Sequence, residues 1–247
     1  SDMMMAYEAY LKNNGVSPNS SSFYMRNLRA VYNRAVEKGL TSQRFPFKHV
    51  YTGVEKTVKR AVPLKVIKKI KEMDFSMNPS FDFARDMFLM SFYTRGMSFV
   101  DMAYLRKKDL QNGVLSYRRR KTGQQLFIKW EKCMQEIVNK YDTSQSNYLL
   151  PIIKPFGDID ERKQYIYAAH NINRCLKIIG KELGLSVSLT LYVARHAWAS
   201  IAKSKNVPLS VISEGMGHDS EATTRIYLAS LDTVAIDKAN SMILKSL

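Results

Sequence analysis

Residues 112–130 are the one stretch of this chain that reads as β structure. Asn112-Gly113 is a hairpin dipeptide, since a tight hairpin turn needs positive φ at its central positions. Val114–Arg120 follows as a strand, Thr122-Gly123 makes a second turn, and Gln124–Trp130 is a second strand. Nearly everything else reads as helix. The expected fold class is therefore mainly α with a small antiparallel β-sheet.

The helical segments divide into two groups. Asp2–Asn13 is short and amphipathic and stops before Gly15 and Pro18. Ser20–Ser22 offer N-caps for a helix over Phe23–Lys38, closed by Gly39. Phe23, Leu28, Val31 and Ala35 make its expected apolar face, with Arg26, Arg29 and Asn33 together on another. Residues 41–62 lose periodicity around Phe45-Pro46-Phe47, Gly53, Lys56, Lys59 and Arg60, and read as a basic linker. Pro63 suits the first turn of Leu64–Met73. Helices are then expected over Phe81–Tyr93, Val100–Leu105, Lys132–Lys140, Glu161–Leu183, Thr190–Lys203, Ser210–Met216, Ser220–Leu228 and Thr233–Leu247, with an extended loop over 142–160. The expected domains are 1–60, an all-α part with its linker, and 63–247. The first part can barely bury a core of its own and reads as truncated from a longer protein.

Charge narrows the function. Lys plus Arg is 38 and Asp plus Glu 22, a net +16, in a chain of 247 residues. Residues 1–62 hold 10 basic and 4 acidic residues, and residues 103–132 hold 9 and 2. Most of the excess therefore lies in two segments, one in each part, as expected of a chain that clamps a polyanion from two sides. Arg118, Arg119, Arg120 and Lys121 form four consecutive cations at a strand end, more than an edge strand needs to deter aggregation. Apolar runs such as Met87–Ser91 fall far below the ~18 residues of a membrane span. No basic segment precedes an N-terminal apolar stretch, so no secretory signal is expected. Cys133 and Cys175 alone suggest a reducing compartment without a disulfide framework. The cysteines and the four histidines, 49, 170, 196 and 218, show no metal-ligand spacing, and there is no phosphate-binding glycine loop.

In the C-terminal third, Tyr192 and Arg195 are three apart on one helix, so they share a face. Gly217-His218-Asp219-Ser220 follows, and Tyr227 lies nine residues after His218 on a helix that Ser220 can cap.

Four motifs in order, Arg95-Gly-Met-Ser-Phe-Val-Asp101-Met-Ala-Tyr-Leu105, Ser116-Tyr-Arg-Arg-Arg-Lys121-Thr-Gly123, Tyr192-Val-Ala-Arg195-His196-Ala-Trp198-Ala and Gly217-His218-Asp-Ser-Glu-Ala-Thr-Thr-Arg-Ile-Tyr227, resemble the tyrosine recombinases (the phage-integrase family), specifically integrases of Bacteroides mobile elements. The resemblance spans nearly the whole chain. It implies a SAM-like core-binding domain at 1–60 and a recombinase catalytic domain at 63–247. It implies Tyr227 as nucleophile, Arg195 as a phosphate-binding arginine, Lys121 as the hairpin lysine, His218 as the phosphate-bonding histidine and Asp101 as support for the arginines. It implies DNA contacts from Arg26, Arg29, Arg118, Arg119 and Arg120. No cofactor or metal is implied. The implied partners are double-stranded DNA attachment sites, three further copies of the chain in synapsis, and DNA-bending accessory proteins, in the bacterial cytoplasm at the nucleoid, with a monomer expected without DNA.

Two departures stand out. Tyr192 replaces the family's usual histidine, and its hydroxyl can still donate to a phosphate oxygen. Ser98 occupies the position of the first catalytic arginine; Arg95, three residues earlier and one turn away if that segment is helical, is expected to reach the same phosphate in its place, the alternative being a DNA-backbone or structural arginine. Ser98 also motivates the alternative, a catalytically impaired DNA-binding regulator on the same scaffold. A type IB topoisomerase-like enzyme, with the chemistry but no strand exchange, is the other alternative.

Overall fold

The computed structural model describes residues 2–55, 61–155, 159–228 and 244. It is 56% helical, with one three-stranded antiparallel sheet. By packing the chain forms two compact units, Ser1–Val58 and Lys59–Leu247.

The first unit pairs α1 (Asp2–Asn13) with α2 (Pro18–Glu37). Helix α2 starts earlier than expected, because Ser17 caps it and Pro18, which has no N–H to lose, occupies the first turn. Its buried side also differs. Phe23, Leu28 and Val31 are exposed, and Ser21, Ser22 and Met25 face inward. The returning chain explains this choice. Ser22 Oγ donates to Gly53 O at 2.5 Å, Asn19 Nδ2 to Glu55 O at 2.9 Å, and Glu55 N to Asn19 Oδ1 at 2.7 Å. A small polar face admits a backbone that must satisfy its hydrogen bonds. Residues 41–55 are thus part of this unit rather than a linker: Phe47 and Val50 join Leu11 and Met25 in its core. Lys56, Lys59 and Arg60 lie outside the described residues.

The second unit contains α3 (Leu64–Glu72), α4 (Pro79–Tyr93), α5 (Phe99–Ala103), a 3-10 turn at Lys107–Asp109, β1 (Leu110–Gln111), β2 (Val114–Arg118), β3 (Gln125–Lys129), α6 (Lys132–Asn139), α7 (Glu161–Glu182), α8 (Leu191–Ser204), α9 (Leu209–Gly215) and α10 (Glu221–Leu228). Helix α4 is the axis. Met87, Phe88, Leu89, Met90 and Ser91 are all buried, as expected of a helix apolar on every side. Helices α7 and α8 pack on it, contributing Leu176, Ile179, Ala194 and Ala197 to one core. In the β1–β2–β3 sheet, Leu115 pairs with Ile128 and Tyr117 with Leu126, and this face meets the core. Strand β2 ends at Arg118 rather than Arg120, because Arg119 N donates to Gln124 O and Gly123 N to Arg119 O, which closes the turn. The described residues of the 142–160 connection are irregular as expected, yet Leu149, Leu150, Ile152 and Ile153 are buried. Apart from Leu244, the terminal segment Thr233–Leu247 lies outside the described residues.

Candidate active site

Arg195 is the centre of the site. It sits on α8, is 7% exposed, and its guanidinium meets residues from distant parts of the chain. Nη1 donates to Gly96 O at 2.7 Å, and Nη2 donates to Met216 O at 2.8 Å and lies 3.0 Å from His218 Nε2. The turn that supplies Gly96 follows α4. Arg95 and Gly96 have φ of 62° and 76°, and Gly96 N donates back to Ser91 O at 2.7 Å. A Cβ at Gly96 would lie 2.7 Å from Arg195 Cα, so only glycine lets this turn touch α8. Arg95 therefore belongs to a left-handed turn, and no helical turn connects it to Ser98. Its side chain passes the end of α9, with Cδ 3.6 Å from where a Gly215 Cβ would lie.

His218 follows the left-handed Gly217 just past α9. Its Nδ1 is 2.7 Å from Oγ1 of Thr224, a fully buried residue on α10. With the proton on Nδ1, the ring donates to Thr224 and accepts from Arg195, so one neutral tautomer satisfies both neighbours. Burial, then the charges of Arg195 and Arg119, push its pKa down to about 4, with Asp219 opposing. Lys121 adds to that field, although its own side chain is exposed at the hairpin tip.

Arg119 was expected to meet DNA, but it is 8% exposed, and its guanidinium donates to Gly217 O. A Cβ at Gly217 would lie 2.6 Å from Arg119 Cδ. Its neighbours Arg118 and Arg120 are exposed. Arg118 Nη1 donates to Gly123 O at 3.0 Å, and the Arg120 guanidinium lies 3.8 Å from the Tyr104 ring centre. The alternation of β2, carried one residue past its end, gives the reason: Leu115, Tyr117 and Arg119 are buried together. That signal was present in the sequence. The Thr224 contact left no comparable trace there.

Asp101 was expected to support the arginines. Its carboxylate instead accepts the Ser98 hydroxyl and the Arg120 backbone N–H. Tyr117, beside Asp101, Arg119, Arg195 and Arg95, has its pKa raised chiefly by burial and then by Asp101. Tyr192 is 60% exposed and packs edge-on to His196, with ring centres 4.5 Å apart. Tyr227 lies on α10, and its side chain is outside the described ones. Arg26 and Arg29 are exposed on α2, where Arg29 Nη1 donates to Thr52 Oγ1 at 3.1 Å. Among the described residues no three His, Cys, Asp or Glu gather to hold a metal ion, and no helix is long and apolar enough to cross a membrane.

Residues 63–233 match the Phage integrase family, and residues 1–51 match the Phage integrase SAM-like domain. No curated protein matches the chain. Among solved structures, one similar fold is a lambda integrase(75-356) dimer bound to a COC′ core site, at 15% identity and TM-score 0.69 over 93% of this chain and 80% of that one. A second is the XerH site-specific recombinase bound to a palindromic difH substrate in a post-cleavage complex, at 16% and 0.70 over 96% and 71%. A third is the Tn1549 transposon integrase in complex with transposon right end DNA, at 15% and 0.64 over 98% and 84%. At such identities the likeness concerns the fold.

Proposed function

From the premise that this chain belongs to the phage integrase family of tyrosine recombinases, we propose that it is an active site-specific recombinase that integrates or excises a mobile element. The observation that carries this reading is the Arg195 guanidinium, fixed by two backbone carbonyls against a neutral His218. A buried guanidinium held in place before substrate arrives is the kind of preorganised charge that stabilises a phosphoryl transition state.

The chemistry is a transesterification. The Tyr227 oxygen attacks the scissile phosphorus, and the bond to the 5′-oxygen breaks. The products are a 3′-phosphotyrosine and a free 5′-hydroxyl. One phosphodiester replaces another, so no ATP is consumed. A phenol titrates near pH 10, so the attacking hydroxyl must give up its proton as the bond to phosphorus forms, and that proton leaves to water. Arg195 and Arg95 meet the non-bridging oxygens. On phosphate binding the His218 ring takes its other tautomer, so that Nε2–H donates to a phosphate oxygen and the Thr224 hydroxyl donates to Nδ1; a hydroxyl serves either arrangement. Lys121 gives its proton to the leaving 5′-oxygen. Tyr192 donates to the phosphate from the solvent side. Arg26, Arg29, Arg118 and Arg120 contact the DNA backbone. Four copies on two attachment-site duplexes complete strand exchange in the bacterial cytoplasm. The DNA-bound states of structural neighbours, one at a transposon end, support DNA as the partner.

The test uses a library of nicked duplexes of randomised sequence, incubated with the chain in EDTA. An SDS-stable protein–DNA adduct is expected on a defined subset of sequences. If no sequence gives an adduct while DNA binding persists, the chain is instead a non-cleaving DNA-binding protein on this scaffold.

A further inference from the structure

Ser98 stands where the resemblance puts an arginine, and its hydroxyl is already committed. It donates to Asp101 Oδ2 at 2.6 Å and, as the N-cap of α5, accepts the Asp101 N–H at 3.4 Å. Asp101 is 4% exposed. Its other oxygen, Oδ1, accepts the Arg120 N–H at 2.9 Å. Arg120 immediately precedes Lys121, and its guanidinium lies on Tyr104, the residue that closes α5. Two contacts therefore tie the residue before Lys121 to the middle and the C-cap of one short helix.

The hairpin closes on itself through Gly123 N to Arg119 O and Arg118 Nη1 to Gly123 O, but the Lys121 end faces outward. Lys121 is exposed, and a Cβ at Gly123 would touch nothing within 4 Å. The Asp101 bond is the backbone anchor next to Lys121, beside the side-chain contacts of Arg119 to Gly217 O and of Arg120 to Tyr104. It is charge-assisted, and such bonds have about twice the strength of neutral ones. Ser98 holds one carboxylate oxygen and leaves the other aimed at the hairpin.

We propose that Ser98 and Asp101 are positioning residues that set the hairpin tip so that the Lys121 ammonium reaches the leaving 5′-oxygen. The proposal rests on the reading of Lys121 as the proton donor. Asp101 transfers no proton: as the phosphorus–oxygen bond breaks, the 5′-oxygen takes the electron pair and the Lys121 proton. Ser98 is then neither a weakened arginine nor a vestige. It serves the leaving-group side of the reaction, and the charge on the non-bridging oxygens comes from elsewhere.

A leaving-group substitution separates this role from a merely structural one. Sulfur at the 5′-bridging position departs as a thiolate and needs no proton. Single-turnover cleavage is measured on a nicked duplex recovered from the adduct selection and on its 5′-phosphorothiolate twin. Lys121→Ala, Asp101→Asn, Ser98→Ala and Ser98→Thr are compared. A general acid supplies roughly 10²–10⁴ in rate. Asp101→Asn is expected to lose about tenfold or more of it, Ser98→Ala a smaller part, and Ser98→Thr, which keeps the hydroxyl, almost nothing. The sulfur substrate should return Lys121→Ala, Asp101→Asn and Ser98→Ala to near the unsubstituted rate. If Lys121→Ala is rescued but Asp101→Asn and Ser98→Ala are equally slow on both substrates, the positioning role is wrong and the reading of Lys121 stands. If sulfur fails to rescue Lys121→Ala, the proton-donor reading falls and the positioning role falls with it. Ser98→Ala decides the matter should Asp101→Asn not fold, since it removes two hydrogen bonds, both to Asp101, and no charge.

Discussion

Around Arg195 the site is built inward, whereas around Lys121 it is built outward. The Arg195 guanidinium is buried and meets Gly96 O, Met216 O and His218, and both flanking left-handed glycines, Gly96 and Gly217, sit against arginine side chains. Lys121 rides on an exposed turn, tied down through the backbone of Arg120 and through Arg119, which reaches Gly217. The difference matches the two tasks proposed for them. Charge that stabilises a phosphorus transition state works best fixed and dry. A proton donor must approach an atom that arrives with the DNA and must stay protonated until then, which solvent exposure favours.

Variants on the two sides should therefore fail in different ways. The largest effect is expected from Arg195→Lys. One ammonium cannot replace a planar fork at two carbonyls, a histidine and a phosphate. Cleavage should fall by about 10²–10³, the typical cost of one oxyanion donor, with a lowered Tm. Single-turnover rates and thermal melts read both. An unchanged Tm would mean that the inward side is not the structural hub described.

The glycines sharpen the contrast in stability alone. Gly96→Ala must adopt positive φ and also pushes a Cβ into the Arg195 backbone, so about 3 kcal/mol is expected, at the upper end of overpacking costs. Gly123→Ala meets only the conformational penalty, about 1 kcal/mol. Urea denaturation compares them, and equal losses would erase the distinction.

Arg95 tests whether the inward side holds a second guanidinium for the phosphate. Arg95→Ala should raise the cleavage barrier by at least ~2 kcal/mol, by analogy with one lost oxyanion donor, and Ser98→Ala by less. If Arg95→Ala cleaves normally and only binds DNA less tightly, Arg95 is a backbone clamp.

The smallest effect concerns pH. His218 titrates near 4 when folded, below its ordinary value of 6.5. Between these values the unfolded chain binds the extra proton. The His218 contribution to stability is therefore complete above pH 6.5 and is lost as pH falls toward 4 and below. His218→Asn should lose less stability than the unsubstituted chain across that window in melts taken at each pH. Parallel curves would mean that His218 is not held neutral.

Much of this was legible in the residues. The hairpin followed from Asn112-Gly113 and the alternation after it, and α4 from the dense apolar residues of Phe81–Tyr93. What stayed hidden were choices between faces. Helix α2 turned a small polar side inward because the returning chain needed hydrogen-bond partners, a demand set by residues thirty positions away. Arg119 looked like one cation of four, although its even spacing from Leu115 and Tyr117 marked it as inward. Asp101 could be matched to a family position by order along the chain, but its partners depended on the α5 cap and on where β2 ends. Spacing brought Arg195 and His218 to attention. It took the left-handed turn at Gly96 to show what holds them together.

The central claim is that Tyr227 makes the covalent bond to DNA. Its most direct measurement is peptide mapping of the protein–DNA adduct by mass spectrometry after nuclease digestion. The account predicts a nucleotide 3′-phosphate on the peptide containing Tyr227, and no adduct from Tyr227→Phe at DNA concentrations where it still binds. A nucleotide attached to any other residue, or an adduct that survives in Tyr227→Phe, would contradict it.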